Sequence, residues 1–188
     1  MRQAVALCPL FVAMLCGAMV MPAAAQEGGE EMPEYMMPSE AHKVLTDLAG
    51  TWDVASRFWM DPTQPPMESK GEATFTAILE GRYVTQEYES EMMGQPFRGF
   101  GMDGYDVLAK KYVSVWTDTM GTAIYSMSGT REGNVLTMEG QWPSPEGTHT
   151  MRSVITHQDA EHFTMEMFMQ AGEDWVQLME LKYTRRAE

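Results

Sequence analysis

Between residues 51 and 184 the chain reads as ten short stretches of alternating side chains, each cut off by turn-forming residues. The stretches fall at 51–60, 68–79, 82–92, 97–105, 112–118, 122–128, 135–142, 148–157, 163–169 and 175–184. Prolines and glycines punctuate them, as in Asp61-Pro62-Thr63-Gln64-Pro65-Pro66, Met93-Gly94-Gln95-Pro96, Arg131-Glu132-Gly133-Asn134 and Ala171-Gly172-Glu173-Asp174. Alternation with period two puts successive side chains on opposite faces of a strand. Many short strands with regular turn signals predict a sandwich or a barrel. The turns are short and follow a meander, which favours an antiparallel up-and-down barrel, because closure removes the unpaired sheet edges.

One segment before the strands is helical. Pro38-Ser39-Glu40 reads as a helix start, with Ser39 as N-cap and Glu40 in the first turn. Ala41, Val44, Leu45 and Leu48 follow at helical spacing, and Gly50 is expected as the C-cap. The helix should cover one mouth of the barrel. Trp52, two residues beyond Gly50, opens the first strand and should plug the narrow end. Arg185, just past the last strand, is placed to lie over that indole when first and last strands meet.

The N-terminus has the anatomy of a secretory signal: Arg2, an uncharged apolar run from Val5 to Met21, then Ala23-Ala24-Ala25 before Gln26. The expected organisation is a signal peptide over 1–25, a flexible acidic leader over 26–38 and a single barrel domain over 39–188. That places the protein in the periplasm or outside the cell, with no membrane span once the signal is removed. Cys8 and Cys16 are the only cysteines and both lie in the signal, so the mature chain forms no disulfide. A net charge of −14 disfavours nucleic acid and anionic membranes as partners.

Candidate functional residues come from the inward faces. Tyr88 shares a face with Val84, Gln86 and Met92, while Glu87, Glu89 and Glu91 face solvent. Tyr112, Ser114, Trp116 and Asp118 share a face one hairpin on. With Arg98 paired to Asp118, the cluster Tyr88, Arg98, Trp116 and Asp118 would form the polar end of a pocket for a small apolar or amphipathic ligand. A structural ion pair beneath an aromatic ring is the competing reading. Met165 and Met167, flanked by Phe163 and Met169, would supply a soft apolar wall.

Other chemistries are less well supported. Thioethers at 165–169, or Met36 and Met37 in the leader, would suit Cu(I). The four histidines lack metal-ligand spacing, although His157 or His162 is positioned for single-histidine haem ligation. Gly99-Phe100-Gly101-Met102-Asp103-Gly104 spells a dinucleotide fingerprint, but strands flank it and no helix opens from it. No nucleophile elbow or carboxylate pair is evident, so an enzyme would have to use Asp118 or Glu87 as acid or base. Neither a metal nor a cofactor is expected.

Gly50-Thr51-Trp52 and the terminal Tyr183-Thr184-Arg185 resemble the calycin superfamily of lipocalins and fatty-acid-binding proteins. A longer set is similar to a bacterial family classed as a domain of unknown function with a calycin-like barrel. It comprises Glu80-Gly81-Arg82-Tyr83, Glu91 to Phe97, Gly99-x-Gly101, Gly104-Tyr105-Asp106, Lys111-Tyr112-Val113, Trp116 to Thr122 and Lys182 to Arg185. The likeness covers about 45–186. It implies an all-β, calycin-like barrel of about ten strands with a short N-terminal helix, and it implies no catalytic residues.

Overall fold

The structure, a computed structural model, describes residues 32–145 and 147–187. The expected signal peptide and the leader up to residue 31 lie outside the described residues. Ten antiparallel strands close on themselves: β1 (Gly50–Phe58), β2 (Met67–Ile78), β3 (Tyr83–Met92), β4 (Gln95–Asp106), β5 (Lys111–Asp118), β6 (Tyr125–Glu132), β7 (Val135–Ser144), β8 (Gly147–His157), β9 (His162–Ala171) and β10 (Asp174–Arg185). Each strand pairs with its sequence neighbours, and β1 pairs with β10 to close the barrel. Trp52 stands opposite Arg185 in that closing ladder and Phe58 opposite Met179. Complete closure leaves no edge strand to template aggregation.

Alternation decides what fills the interior. On β1, Trp52, Val54 and Ser56 are buried while Asp53, Ala55 and Arg57 face out. On β3, Val84 and Tyr88 are buried while Glu87, Glu89 and Glu91 are exposed. The sixth strand begins at Tyr125 rather than at 122, so the connection from β5 is longer than the spacing predicts. No helix among the described residues is long and apolar enough to cross a membrane.

One end of the barrel is shut by α1 (Glu40–Thr46) and the Trp52 indole. Trp52 is 1% exposed. Its ring packs edge-on against Phe163 at 4.8 Å and Phe75 at 6.3 Å, and its Nε1 donates to the Leu48 carbonyl at 2.8 Å. Burying an indole of this size stabilises the fold by roughly 4–6 kcal/mol on area grounds. The Arg185 guanidinium lies 4.2 Å over the other side of the ring, as expected. It also donates to the carbonyls of Asp47 at 2.6 Å, Ala49 at 2.7 Å and Ala160 at 3.0 Å. Carbonyls just past a helix C-terminus lack intrahelical donors and sit at the negative end of its dipole, so a cation is well matched there.

The expected glycine C-cap is not what ends α1. The helix stops at Thr46 with Asp47 at its C-cap, and Gly50 instead starts β1 with φ +126°. A Cβ at Gly50 would lie 3.0 Å from Arg185 Nη1, so glycine is needed both for the backbone turn and for the guanidinium above it. At the other end of the helix, Ser39 N–H donates to His42 Nδ1 at 2.9 Å, and buried His42 packs edge-on to Tyr105. Of the leader, Glu34–Met36 forms a 3-10 turn whose Met36 carbonyl accepts from Arg82 Nη2 at 2.9 Å.

Candidate functional site: the barrel lumen

The far end of the barrel is not plugged. A cavity of about 300 Å³ runs inward from there, at the low end of the roughly 300–1,000 Å³ usual for small-molecule sites. Its mouth is framed by Phe58, Phe97, Trp116, Tyr125 and Trp142. These residues stand at the end of β1, the start of β4, the end of β5, the start of β6 and the end of β7 respectively. Further in, the wall is Met127, Met138, Met165, Met167, Ile155 and Leu181, and the floor is the Phe75–Phe163–Tyr183 aromatic group under Trp52. Phe163 and Tyr183 stack at 4.1 Å.

Trp116 lies flat against β4. A Cβ at Gly99 would come within 2.0 Å of its ring, and one at Gly101 within 3.0 Å. Two of the three glycines that mimic a nucleotide fingerprint therefore clear space for an indole inside a barrel, and the third, Gly104, lies against the Tyr83 ring. Trp116 Nε1 donates to Asp118 Oδ2 at 3.0 Å, and Asp118 Oδ1 accepts from the Met120 N–H at 2.9 Å. Tyr125 and Trp142 pack on each other at 4.4 Å, and the Trp142 Nε1–H is buried with no partner among the described residues. Outside this aromatic frame stands a rim of exposed apolar side chains: Met60, Met67, Met93, Met120 and Ile124. They sit in the turns and strand ends at the open end of the barrel.

Of the six residues singled out from the sequence, five line this cavity: Tyr88, Trp116, Asp118, Met165 and Met167. Tyr88 is buried and its hydroxyl bonds Ser56 Oγ at 2.9 Å. Arg98 is the exception. It lies outside the barrel with a 72% exposed side chain, next to Glu89 at 3.3 Å, so the expected Arg98–Asp118 pair does not form. The reason is parity: Phe97, Gly99 and Gly101 occupy the inward positions of β4, and Arg98 takes the outward one between them. Glu87, considered as an acid or base, is likewise on the outer surface and cannot reach a ligand in the lumen.

His157 faces the lumen at the closed half, stacked on Phe163 at 5.7 Å, and burial lowers its pKa. His162 lies outside against Asp159. Met167 is buried in the core, and Met165 and Met169 pack against it. In the leader, Met37 Sδ lies 3.9 Å from Arg82 Nη2. No group of three or more His, Cys, Asp or Glu residues able to hold a metal occurs among the described residues.

The most unusual lumen residue was not picked out from sequence. Asp103 lies on the inward face of β4, beside Ser114 of β5. Burial raises its pKa from 3.8 to about 6, and a Ser114 hydrogen bond offsets this only in part. Near it, Gln86 Nε2 donates to Tyr183 Oη at 3.2 Å, and the Tyr183 hydroxyl is pushed up by burial and by the neighbouring Asp103 and Tyr88. The signal for Asp103 was available: it continues the odd-numbered inward series of 97, 99 and 101. The glycine run obscured it.

Comparison with known proteins places this geometry in a wider class of barrels. No curated protein matches the sequence. Among solved structures, Rv2717c from M. tuberculosis aligns over 80% of this chain and all of its own, with TM-score 0.56 and 17% identity. The S-type phycobiliprotein lyase CPES from Guillardia theta aligns over 79% of this chain and 93% of its own, with TM-score 0.54 and 8% identity. At these identities the likeness establishes the fold alone, a calycin-like barrel. The family described as "Protein of unknown function (DUF1579)" matches residues 37–185, which is nearly the whole barrel with its helix, and the chain belongs to that family.

Proposed function

We propose that this protein binds a small apolar or amphipathic molecule inside the barrel, in the periplasm or outside the cell, where its N-terminal signal would send it. The observation that carries this reading is the asymmetry of the interior: one end is sealed by Trp52 and α1, and a cavity of about 300 Å³ opens between aromatic rings at the other. A barrel that needed only a packed core would gain by filling this space, since unfilled apolar volume costs stability. The flexible methionines in the wall suit a guest of irregular shape. The exposed apolar rim offers a path by which such a guest slides from its source into the mouth. The likeness to the lyase barrel contributes the fold and not the ligand.

Native mass spectrometry of the protein purified gently from its own host tests the reading. The expected spectrum shows a one-to-one adduct of a few hundred daltons that denaturation releases. A spectrum of bare protein only, together with no uptake of added decanol, would overturn it.

A further inference from the structure

The lumen is chemically one-sided. Among its described lining residues are two carboxyls, Asp103 and Asp118, and neither lysine nor arginine. The one histidine among these described lining residues is His157, whose protonated form burial disfavours. A ligand carboxylate would therefore enter a water-poor chamber with no cation to meet it and a carboxyl already inside. Resting on the ligand-binding reading above, we propose that the lumen is specific for an amine-bearing amphiphile, whose ammonium group sits against Asp103 and whose apolar tail points to the aromatic mouth.

The placement follows from the cluster around Asp103. Among the described residues its own partner is Ser114 alone, whereas Asp118 already accepts from both the Trp116 indole and the Met120 N–H. Gln86 donates its amide to Tyr183, and its carbonyl oxygen has no partner among the described residues. A primary ammonium brings three donors and no acceptor, which matches a carboxylate, a free amide oxygen and the Ser114 hydroxyl. The ionisable groups lining the lumen with Asp103 are Tyr88 on β3, Tyr112 and Asp118 on β5, Tyr125 on β6, Tyr183 on β10 and His157 across the lumen on β8, none of which supplies a positive charge at neutral pH; the exposed Arg131 on β6 acts on His157 and Tyr112 and not on Asp103. Ser114 and Asp118 are four residues apart on β5, about 13 Å along the strand, so an amine seated at Asp103 leaves room for a tail before the mouth. The raised pKa of Asp103 marks a carboxyl still lacking its counter-charge.

The test is a titration of the whole protein with three probes of one chain length, decylammonium, decanol and decanoate, at pH 7.5. Decylammonium should bind about tenfold or more tightly than decanol, and decanoate more weakly than either. Asp103→Asn should erase the preference for the amine and leave decanol affinity in place. Repeating the wild-type titration at lower pH gives an independent reading should that variant fail to fold: amine affinity should fall below about pH 6 while decanol affinity stays flat. Decanoate binding as well as decylammonium, a flat pH profile for the amine, or loss of amine preference in Asp118→Asn but not in Asp103→Asn would each overturn this inference and leave the ligand-binding reading standing. Binding of none of the three would overturn both.

Discussion

The two ends of this barrel are built from the same residue types to opposite effect. At the closed end Trp52 donates to Leu48, Arg185 caps the Trp52 ring and serves three carbonyls, and Tyr112 donates to Ala41. At the mouth four of the five framing aromatics are half-buried, the Trp142 N–H has no partner among the described residues, and methionines stand exposed around the rim. Buried polar groups in stable cores are satisfied, and large apolar side chains are rarely clustered in the open without reason. The contrast separates the half of the molecule that holds the fold from the half that is free to receive something.

The largest expected effect comes from breaking the closed end. Trp52→Ala should cost about 3–5 kcal/mol in denaturant unfolding, because it removes a fully buried ring that touches both Phe75 and Phe163 and strands Arg185 above a void. A cost below 1 kcal/mol would show that the plug does not organise the fold.

Next is Asp103, whose effect has the opposite sign. The carboxyl holds its proton more tightly folded, with a pKa of about 6, than in the unfolded chain, near 3.8. The folded state therefore carries more protons between those values, and this group's contribution falls as pH rises through the window, by about 3 kcal/mol in all. Asp103→Asn should thus be more stable than wild type at pH 7.5, with the gap closing toward pH 4. His42 and His157, both lowered by burial, act in the reverse sense below pH 6.5, but in both proteins alike, so the wild-type-minus-variant difference isolates Asp103. Urea midpoints at pH 4, 6 and 7.5 measure it.

Trp116→Ala sharpens the contrast in another way. The ring is only half-buried, so its removal should cost about 1–2 kcal/mol, well below the cost at Trp52, while decanol binding is lost or falls severalfold. Equal stability losses at the two tryptophans would erase the distinction between ends. The smallest effect is expected for Arg98→Ala. With its side chain 72% exposed beside an equally open Glu89, it should change stability by less than about 0.5 kcal/mol and leave ligand affinity untouched.

The fold was legible in the sequence because its information is periodic. Alternation on β1 and β3 named the inward faces correctly, and the spacing of Trp52 and Arg185 at opposite ends of the chain foretold the closing ladder. The site was only half legible. Tyr112, Ser114, Trp116 and Asp118 were found because they sit on one unbroken alternating strand. Arg98 was misplaced because charge complementarity was allowed to outweigh parity: it is an even-numbered neighbour of inward Phe97 and Gly99, and parity alone would have sent it outside. Asp103 was overlooked because glycines carry no side chain with which to display a pattern. Gly50 read as a helix cap because positive-φ glycines end many helices, and only the Arg185 guanidinium pressed against it reveals its other duty.

The chain's methionines offer the most direct test that the open half receives a guest. With methionine methyl groups labelled with carbon-13, the protein should respond to decanol by shifts at Met127, Met138, Met165 and Met167, which line the lumen, with Met36 and Met37 in the leader unmoved. Shifts confined to the leader and the exposed rim, with the lumen methyls unchanged at saturation, would contradict a hollow, ligand-accepting barrel.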